Sequence, residues 1–267
     1  MTPSLRIVQI SDLHLLGEPG RRINGVDSGA VLERTVPLLN ELKPDVIVAT
    51  GDLTDDGSPG AYRRLRRLLA PLAARLHACP GNHDDRQVLR RDFGLADGEG
   101  PAHESFATGG VRFILLDSTV AGDPAGHLAE CELSWLEAEL AAHPAAPTCI
   151  FLHHQPLPIY VRWLDATGLK NPDALLGLLA RHPQVRLVAH GHVHQARRWR
   201  YGHQLFVSAP ALAYQISPLS QEPEITRDPA GFRCLEFRGD EIRDWLYFVD
   251  GRVTAEPAWN ATPVYVR

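Results

Sequence analysis

Residues 46–52, Val46-Ile47-Val48-Ala49-Thr50-Gly51-Asp52, state the pattern of the whole chain: an apolar, β-branched run that ends in a glycine and an acidic side chain. A run this short and this rich in Val and Ile reads as a buried strand, and the glycine lets the backbone leave it sharply. The arrangement recurs four times. Residues 6–10 lead to Asp12-Leu13-His14, 75–79 to Gly81-Asn82-His83-Asp84, 148–152 to His153-His154, and 185–189 to Gly191-His192-Val193-His194. Residues 111–116 read as a further strand. Between the strands lie helical patterns at 29–42, 61–73, 85–93, 129–142 and 172–181. Pro172 suits a first helical turn with Asn171 as its N-cap, and Pro44 and Pro144 close the helices before them. Strands alternating with helices predict an α/β fold, a sheet flanked by helices.

After Gln195 the texture changes. Residues 198–201 and 204–208 read as a hairpin turning at Gly202-His203, and 233–237 with 244–249 as another turning near Gly239-Asp240. The last third is therefore expected to be mainly β and to complete a second sheet. No linker or repeat divides the 267 residues, a length that suits one large domain. Segments 156–171 and 210–229 are irregular and long enough to face a substrate or form a homodimer contact.

Composition excludes more than it assigns. Hydrophobic content of 44% and charged content of 22% are those of a soluble globular chain, and a net charge of −5 gives no general reason to expect nucleic-acid binding. Arg63, Arg64, Arg66 and Arg67 form a basic stripe between leucines, which reads as a solvated helix face. Cys79, Cys131, Cys149 and Cys234 form no CxxC pair and read as buried reduced thiols. Residues 5–10 form a strand too close to Met1 for a signal peptide, and no apolar run approaches the ~18 residues that span a bilayer. The expected location is the cytoplasm, where the Asn260-Ala261-Thr262 glycosylation pattern is without meaning.

The five motifs supply two carboxylates, an amide and several imidazoles, enough for two transition-metal ions. Asp12 and His14 are two apart, as are His192 and His194, so extended backbone would point each pair to one face. Carboxylate, imidazole and amide donors without thiolates suit Fe, Mn, Zn or Co rather than a closed structural zinc site. Two ions need a shared ligand, and the two oxygens of Asp52 make it the natural bridge.

In this order the motifs resemble the calcineurin-like metallophosphoesterase superfamily, whose pattern is D-x-H, GD, GNH[DE], H and GHxH; the resemblance covers residues 5 to about 195. It implies a four-layer α/β/β/α sandwich, two mixed sheets face to face with helices outside. It implies that Asp12, His14, Asp52 and His194 hold one divalent ion and that Asp52, Asn82, His153 and His192 hold the other, with Fe or Mn ahead of Zn or Co. His153 is preferred to His154 because it directly follows its strand. His83 is then the catalytic acid, oriented by Asp55 or, in competition, by Asp84, while a metal-bridging hydroxide attacks phosphorus.

Two ions set against Asp12, Asp52 and a bridging hydroxide leave about +1 of charge, a better match to a phosphodiester than to a dianionic monoester. Asp56 stands where the superfamily's Ser/Thr phosphatases carry an arginine, which also counts against a protein phosphatase. The chain looks most like bacterial class III cyclic-nucleotide phosphodiesterases and related glycerophosphodiesterases. Shared features are Gly126-His127-Leu128 leading to Trp135-Leu136, Trp163-Leu164-Asp165, and Pro210 with Tyr214-Gln215. The resemblance implies hydrolysis of 3′,5′-cyclic nucleotides such as cyclic AMP to 5′-monophosphates, with Tyr160, Trp163 or Tyr214 available to stack on a base. The alternatives are a glycerophosphodiesterase or broad phosphodiesterase, a nuclease, and a non-catalytic scaffold such as the retromer subunit of this fold.

Overall fold

A computed structural model describes residues 4–95, 98–239 and 241–255; Asp240 and the Asn260 pattern lie outside them. Three parallel strands, β1 (Ser4–Ile10), β2 (Val46–Thr50) and β3 (Leu76–Cys79), form one half of a first sheet. They alternate with α1 (Ser28–Leu42), α2 (Pro59–Leu69) and α3 (Arg86–Phe93). The second sheet begins with the antiparallel pair β4 (Glu104–Thr108) and β5 (Val111–Leu115). It continues with β6 (Thr148–Leu152) after α4 (Glu130–Ala142), then β7 (Val185–His190) after the short α5 (Arg162–Asp165) and α6 (Pro172–Ala180). The hairpin of β8 (Arg197–Tyr201) and β9 (Gln204–Ser208) completes it, in the order β4-β5-β6-β7-β9-β8. A two-stranded ribbon of β10 (Gln215–Ile216) and β11 (Ile225–Thr226) follows.

The last strands do not stay with the second sheet, as the sequence suggested. β12 (Gly231–Arg238), β13 (Glu241–Phe248) and β14 (Val253–Ala255) return to the first, whose order is β14-β13-β12-β1-β2-β3. β12 lies antiparallel to β1, pairing Ile7 with Leu235. The result is two six-stranded mixed sheets flanked by helices.

Strand alternation sorts side chains into three apolar layers. Ile7, Val46, Val48, Phe113, Phe151, Leu187 and Leu235 pack between the sheets. Val8, Ile10 and Ile47 turn the other way, onto α1 and α2 through Leu32, Leu39 and Leu65. Ile114, Ile150 and Val188 meet Leu136, Leu140 and Leu178 of α4 and α6. Burying each such side chain contributes about 1.5–3 kcal/mol. That requirement explains why the central parallel strands are apolar on both faces.

Three helices start on side-chain caps, whereas α4 and α5 start at Ala129 and Val161 without one. Asp27, Ser58 and Asp85 accept from Ala30, Ala61 and Val88 as N-caps, and α1 ends on Lys43 in the left-handed region just before Pro44. Asn171 occupies the N-cap position of α6 without a side-chain cap bond. Its amide serves Leu128 instead, accepting from N (3.0 Å) and donating to O (2.8 Å), which fastens the start of α4's approach to α6.

The basic stripe is not uniformly solvated. Arg63, Arg66 and Arg67 are exposed, whereas Arg64 is buried and donates to the carbonyls of Leu16 and Glu18. Three cysteines are buried thiols as expected, but Cys131 is exposed on α4 because its position falls on the outer side of that helix. Cys79 packs between the sheets with its thiol donating towards Ala49 O. Among the described residues no helix is long and apolar enough to cross a membrane.

Candidate metal centre

Both sheets deliver their motifs to one edge. The ends of β1, β2 and β3 carry Asp12, His14, Asp52, Asn82 and His83; the ends of β6 and β7 carry His153, His192 and His194. Cross-sheet bonds hold the two sets together. Gln9, braced within its own sheet by Thr50 Oγ1 (3.0 Å), donates through Nε2 across to His190 O (2.8 Å), and the His192 N–H donates to Asp12 Oδ1 at 3.0 Å.

The side chains converge by a different backbone device from the extended one the spacing suggested. Asp12, His14, Asp52, His192 and His194 have φ of 52°, 42°, 49°, 69° and 50°. This left-handed region costs an L-residue roughly 1–2 kcal/mol, with Asp and His among the more tolerant types. Each motif therefore coils tightly after its strand and presents its donors at short range. Gly51 has φ +83°, and a Cβ there would lie 2.4 Å from His153 Nδ1. Gly81 needs its bareness for a close approach, since a Cβ would lie 2.2 Å from the Asp52 backbone N.

All seven residues expected as ligands are brought together. Asp52 Oδ2 stands 3.5 Å from His14 Nε2 and 3.4 Å from His153 Nε2. Asp52 Oδ1 is already committed, accepting the His83 N–H at 2.9 Å. The bridge pictured from the sequence used both oxygens; here a single oxygen, Oδ2, faces both halves. On one side His14 Nε2 and His194 Nε2 approach to 3.1 Å, with Asp12 Oδ1 3.5 Å from the latter. On the other, His153 Nε2 lies 3.1 Å from Asn82 Oδ1 and 3.2 Å from His192 Nδ1.

Outer partners decide which ring nitrogens face inward. The Nδ1–H of His14 donates to Asp55 Oδ1 (3.0 Å), that of His153 to Thr50 O (2.8 Å) and that of His194 to Tyr214 O (2.6 Å). Each leaves Nε2 as the nitrogen that points into the site. His192 is reversed: its Nε2 meets Thr167 Oγ1 at 3.0 Å and its Nδ1 turns inward. His154 is buried beside the group, but Ser118 Oγ (2.8 Å) and Pro124 O (3.2 Å) occupy both its nitrogens. The geometry thus sets His153, not His154, towards Asp52.

The partner expected for His83 needs correction. His83 is exposed on the rim, and its Nδ1–H donates to the main-chain carbonyl of Asp55 at 2.7 Å. The Asp55 carboxylate serves His14 and stands 3.8 Å from His83, because the turn after Asp52 directs that side chain back under the first motif. Asp84, the competitor, is a clamp. Its carboxylate accepts from the N–H groups of Leu53, Thr54 and Gly81 and from the Tyr62 hydroxyl (2.9 Å), tying the second motif to the third.

Burial favours neutral groups here, and the carboxylates work against it. His153 is pushed down by burial but pulled up to about 9 by the neighbouring Asp52 charge. His14 is likewise raised, its bond to Asp55 and the charges of Asp52 and Asp12 outweighing burial. Burial would raise Asp52, but His153 and His14 hold it well below the usual carboxylate range. Burial lowers His194 to about 4 and His154 to about 3. Asp84 is raised, by burial first and the Asp52 charge second.

The donor chemistry fits metal ions. Asp12 Oδ2 is buried without a hydrogen-bond partner. Inward imidazole nitrogens crowd together at hydrogen-bond distance beside two carboxylates, a donor set that suits a cation. Donor atoms of Asp12, His14 and His194 lie within 4.8 Å of one another, as do those of Asp12, Asp52 and His153.

Thr167, Thr50 and Ser118 were not legible as parts of this site, nor was the carbonyl role of Tyr214, which the sequence offered only as a ring to stack on a base. A main-chain carbonyl or a lone hydroxyl leaves no motif in a sequence. A cavity of about 310 Å³ opens beside His194, and segment 210–229 contributes Pro210, Gln215, Ile216 and Pro218 to its wall, opposite Phe248. Tyr214 lies along the His194 ring, centroids 4.6 Å apart, and Tyr160 is exposed. Trp163 instead packs against the small cluster around Val161 and Ile216.

Comparison with known proteins agrees with this construction. The calcineurin-like phosphoesterase family model matches residues 5–196. The chain is 36% identical over 239 residues to the 3′,5′-cyclic adenosine monophosphate phosphodiesterase CpdA of Pseudomonas aeruginosa, covering 89% of this chain and 87% of that protein. It is 31% identical over 217 residues to a probable glycerophosphodiester phosphodiesterase GpdQ of Arcobacter nitrofigilis, with 79% and 80% covered. A solved dimetal phosphatase from Danio rerio shares the fold, with a TM-score of 0.70 at 18% identity over 91% of this chain and 95% of that one. The chain belongs to the calcineurin-like phosphoesterase family.

Proposed function

We propose that the protein is a two-metal phosphodiesterase acting on small diesters, first among them 3′,5′-cyclic nucleotides such as cyclic AMP, which it opens to 5′-monophosphates. The observation that carries this reading is the convergence of four inward-facing imidazole nitrogens and an unpartnered Asp12 oxygen around Asp52 Oδ2. Members of this family use a dinuclear metal centre. Asp12, His14, Asp52 and His194 would hold one divalent ion and Asp52, Asn82, His153 and His192 the other, with Fe or Mn the best match to this donor set. When bound, the ions supply an activated water nucleophile and neutralise the phosphoryl oxygens.

The chain's own groups do the rest. Asp52 Oδ1, by accepting the His83 N–H, fixes the third motif against the second. His83 keeps its Nδ1–H on Asp55 O, so Nε2 is its free ring nitrogen; when the ring carries its second proton there, as an imidazolium, it would give that proton to the departing 3′-alkoxide. Asp56 is exposed and accepts from the Ser58 N–H, a turn role that puts an anion rather than a guanidinium beside the second motif and disfavours dianionic monoesters.

Similarity to the cyclic-AMP phosphodiesterase over most of both chains supports the cyclic-nucleotide reading. The glycerophosphodiesterase relative keeps glycerophosphodiesters as the second reading. Exposed Tyr160 and Leu219 on the two irregular segments support a homodimer contact there. Measurement of kcat/KM on cyclic AMP and on glycerophosphodiesters with manganese-loaded enzyme tests the reading: cyclic AMP should be the better substrate, and no turnover of it would overturn that assignment.

A further inference from the structure

Four inward-facing imidazoles line the centre, and each is held from behind by one acceptor. Two of these acceptors are main-chain carbonyls and one is a carboxylate. The fourth is the hydroxyl of Thr167, just beyond α5 in the irregular segment 156–171. That hydroxyl has one proton to give. It lies 3.1 Å from Leu164 O and 3.5 Å from Trp163 O, so the proton is directed to those carbonyls. Only acceptor capacity is left for His192 Nε2 at 3.0 Å.

We propose that Thr167 is the positioning residue of His192: its hydroxyl accepts the Nε2–H, which holds the ring in the tautomer that turns a bare Nδ1 into the site. This rests on the reading that the centre binds two ions. His192 is the only one of the four that presents Nδ1, the nitrogen nearer the backbone. A ring free to exchange tautomers would place a proton where the ligand lone pair belongs. Thr167 is itself rigidly placed. Its N–H donates to Leu164 O (3.1 Å), and the next residue's carbonyl accepts from Gly126 N at 3.2 Å, joining the segment to the approach of α4. Gln155 Nε2 also donates to Leu164 O, at 2.7 Å. The irregular segment is thereby tied to the metal centre through one hydroxyl.

Thr167→Val keeps the shape and removes the acceptor; Thr167→Ser keeps the acceptor. Titration of metal-free protein with Mn²⁺, followed by electron paramagnetic resonance of the free ion, should show two sites in the wild type. In Thr167→Val one of them should weaken by about 10–100-fold, the range usual for loss of a ligand's outer partner. Thr167→Ser should restore it. In metal-free protein with ¹⁵N-labelled histidines, the His192 ring, assigned with a His192→Asn variant, should be a single Nε2–H tautomer in wild type and Thr167→Ser, and mixed in Thr167→Val. Unchanged Mn²⁺ affinities in Thr167→Val, or an unchanged tautomer, would overturn the proposal. Should the wild type itself fail to take up two ions, the metal reading falls, and the tautomer spectra alone decide what Thr167 does.

Discussion

His83 and Asp55 meet through the main chain: the imidazole Nδ1–H donates to the Asp55 carbonyl at 2.7 Å, while the Asp55 carboxylate turns away to His14. The two residues therefore separate on mutation. Asp55→Ala keeps the carbonyl, so it should weaken metal binding by about 10–100-fold through His14 while leaving most of kcat at saturating metal. His83→Ala should keep both ions and lower kcat by about 10²–10⁴-fold. Metal titrations beside steady-state rates on bis(p-nitrophenyl) phosphate check both; a loss of kcat in Asp55→Ala as large as in His83→Ala would return the carboxylate to His83.

Tyr62 joins α2 to the site by donating to Asp84 Oδ1 (2.9 Å) and accepting from Asp85 N (3.1 Å). Tyr62→Phe leaves a buried acceptor short of one donor and should cost about 1–3 kcal/mol. Urea unfolding should show a lower midpoint with an unchanged slope. No change in midpoint would mean that the remaining donors satisfy Asp84 unaided.

Arg233 is fully buried and ion-paired to Asp244, and it also donates to Ser208 O and Arg197 O at 3.0 Å each. This joins β12 and β13 of the first sheet to the β8–β9 hairpin of the second. Asp244→Ala should destabilise by about 3–5 kcal/mol, because it strands a buried guanidinium. Replacing both residues with apolar side chains should cost less than that single change, a non-additivity that a double-mutant cycle reads directly.

Proton release should accompany metal loading. With a pKa of about 9, His153 in ion-free protein keeps a proton that a metal ion must displace. Affinity should therefore rise with pH up to about 9, and calorimetry at neutral pH in buffers of different ionisation heat should show protons leaving the protein. The same shift has a stability consequence. A histidine pKa raised above 6.5 contributes stability that is complete below that pH and lost as pH climbs through about 9. Ion-free protein should accordingly melt at lower temperature across that window. Loading without proton release would contradict the charge balance described here.

What could be read from the sequence was what is encoded locally. A β-branched run ending in Gly-Asp or Gly-His declares both a buried strand and the polar cap at its end, and all seven expected ligands do converge. What depends on pairing between distant segments was not legible. Nothing near Phe232 or Leu235 states that β12 will lie beside β1 rather than extend the other sheet. The short edge strand β4 escaped because its partly polar residues carry no clear alternation. The direction of the Asp55 side chain escaped too, since spacing places a residue near a site without saying which of two histidines it will meet. The left-handed φ angles of Asp12 and His194 are set by tertiary contacts, and Asp and His carry no visible mark of them.

The insertion of β12 between β13 and β1 also orders events in time. During vectorial synthesis every strand of the second sheet has been made once Ser208 emerges, and every residue of the metal centre once His194 has. Four of the seven proposed ligands hang from β1, β2 and β3, and the free edge of β1 has no partner until Gly231–Arg238 follows. The catalytic half-sites thus exist as polymer well before the platform beneath one of them can close. A nascent chain arrested between those points would carry a finished second sheet beside an unpaired first-sheet edge, the kind of surface on which holding chaperones and aggregation compete.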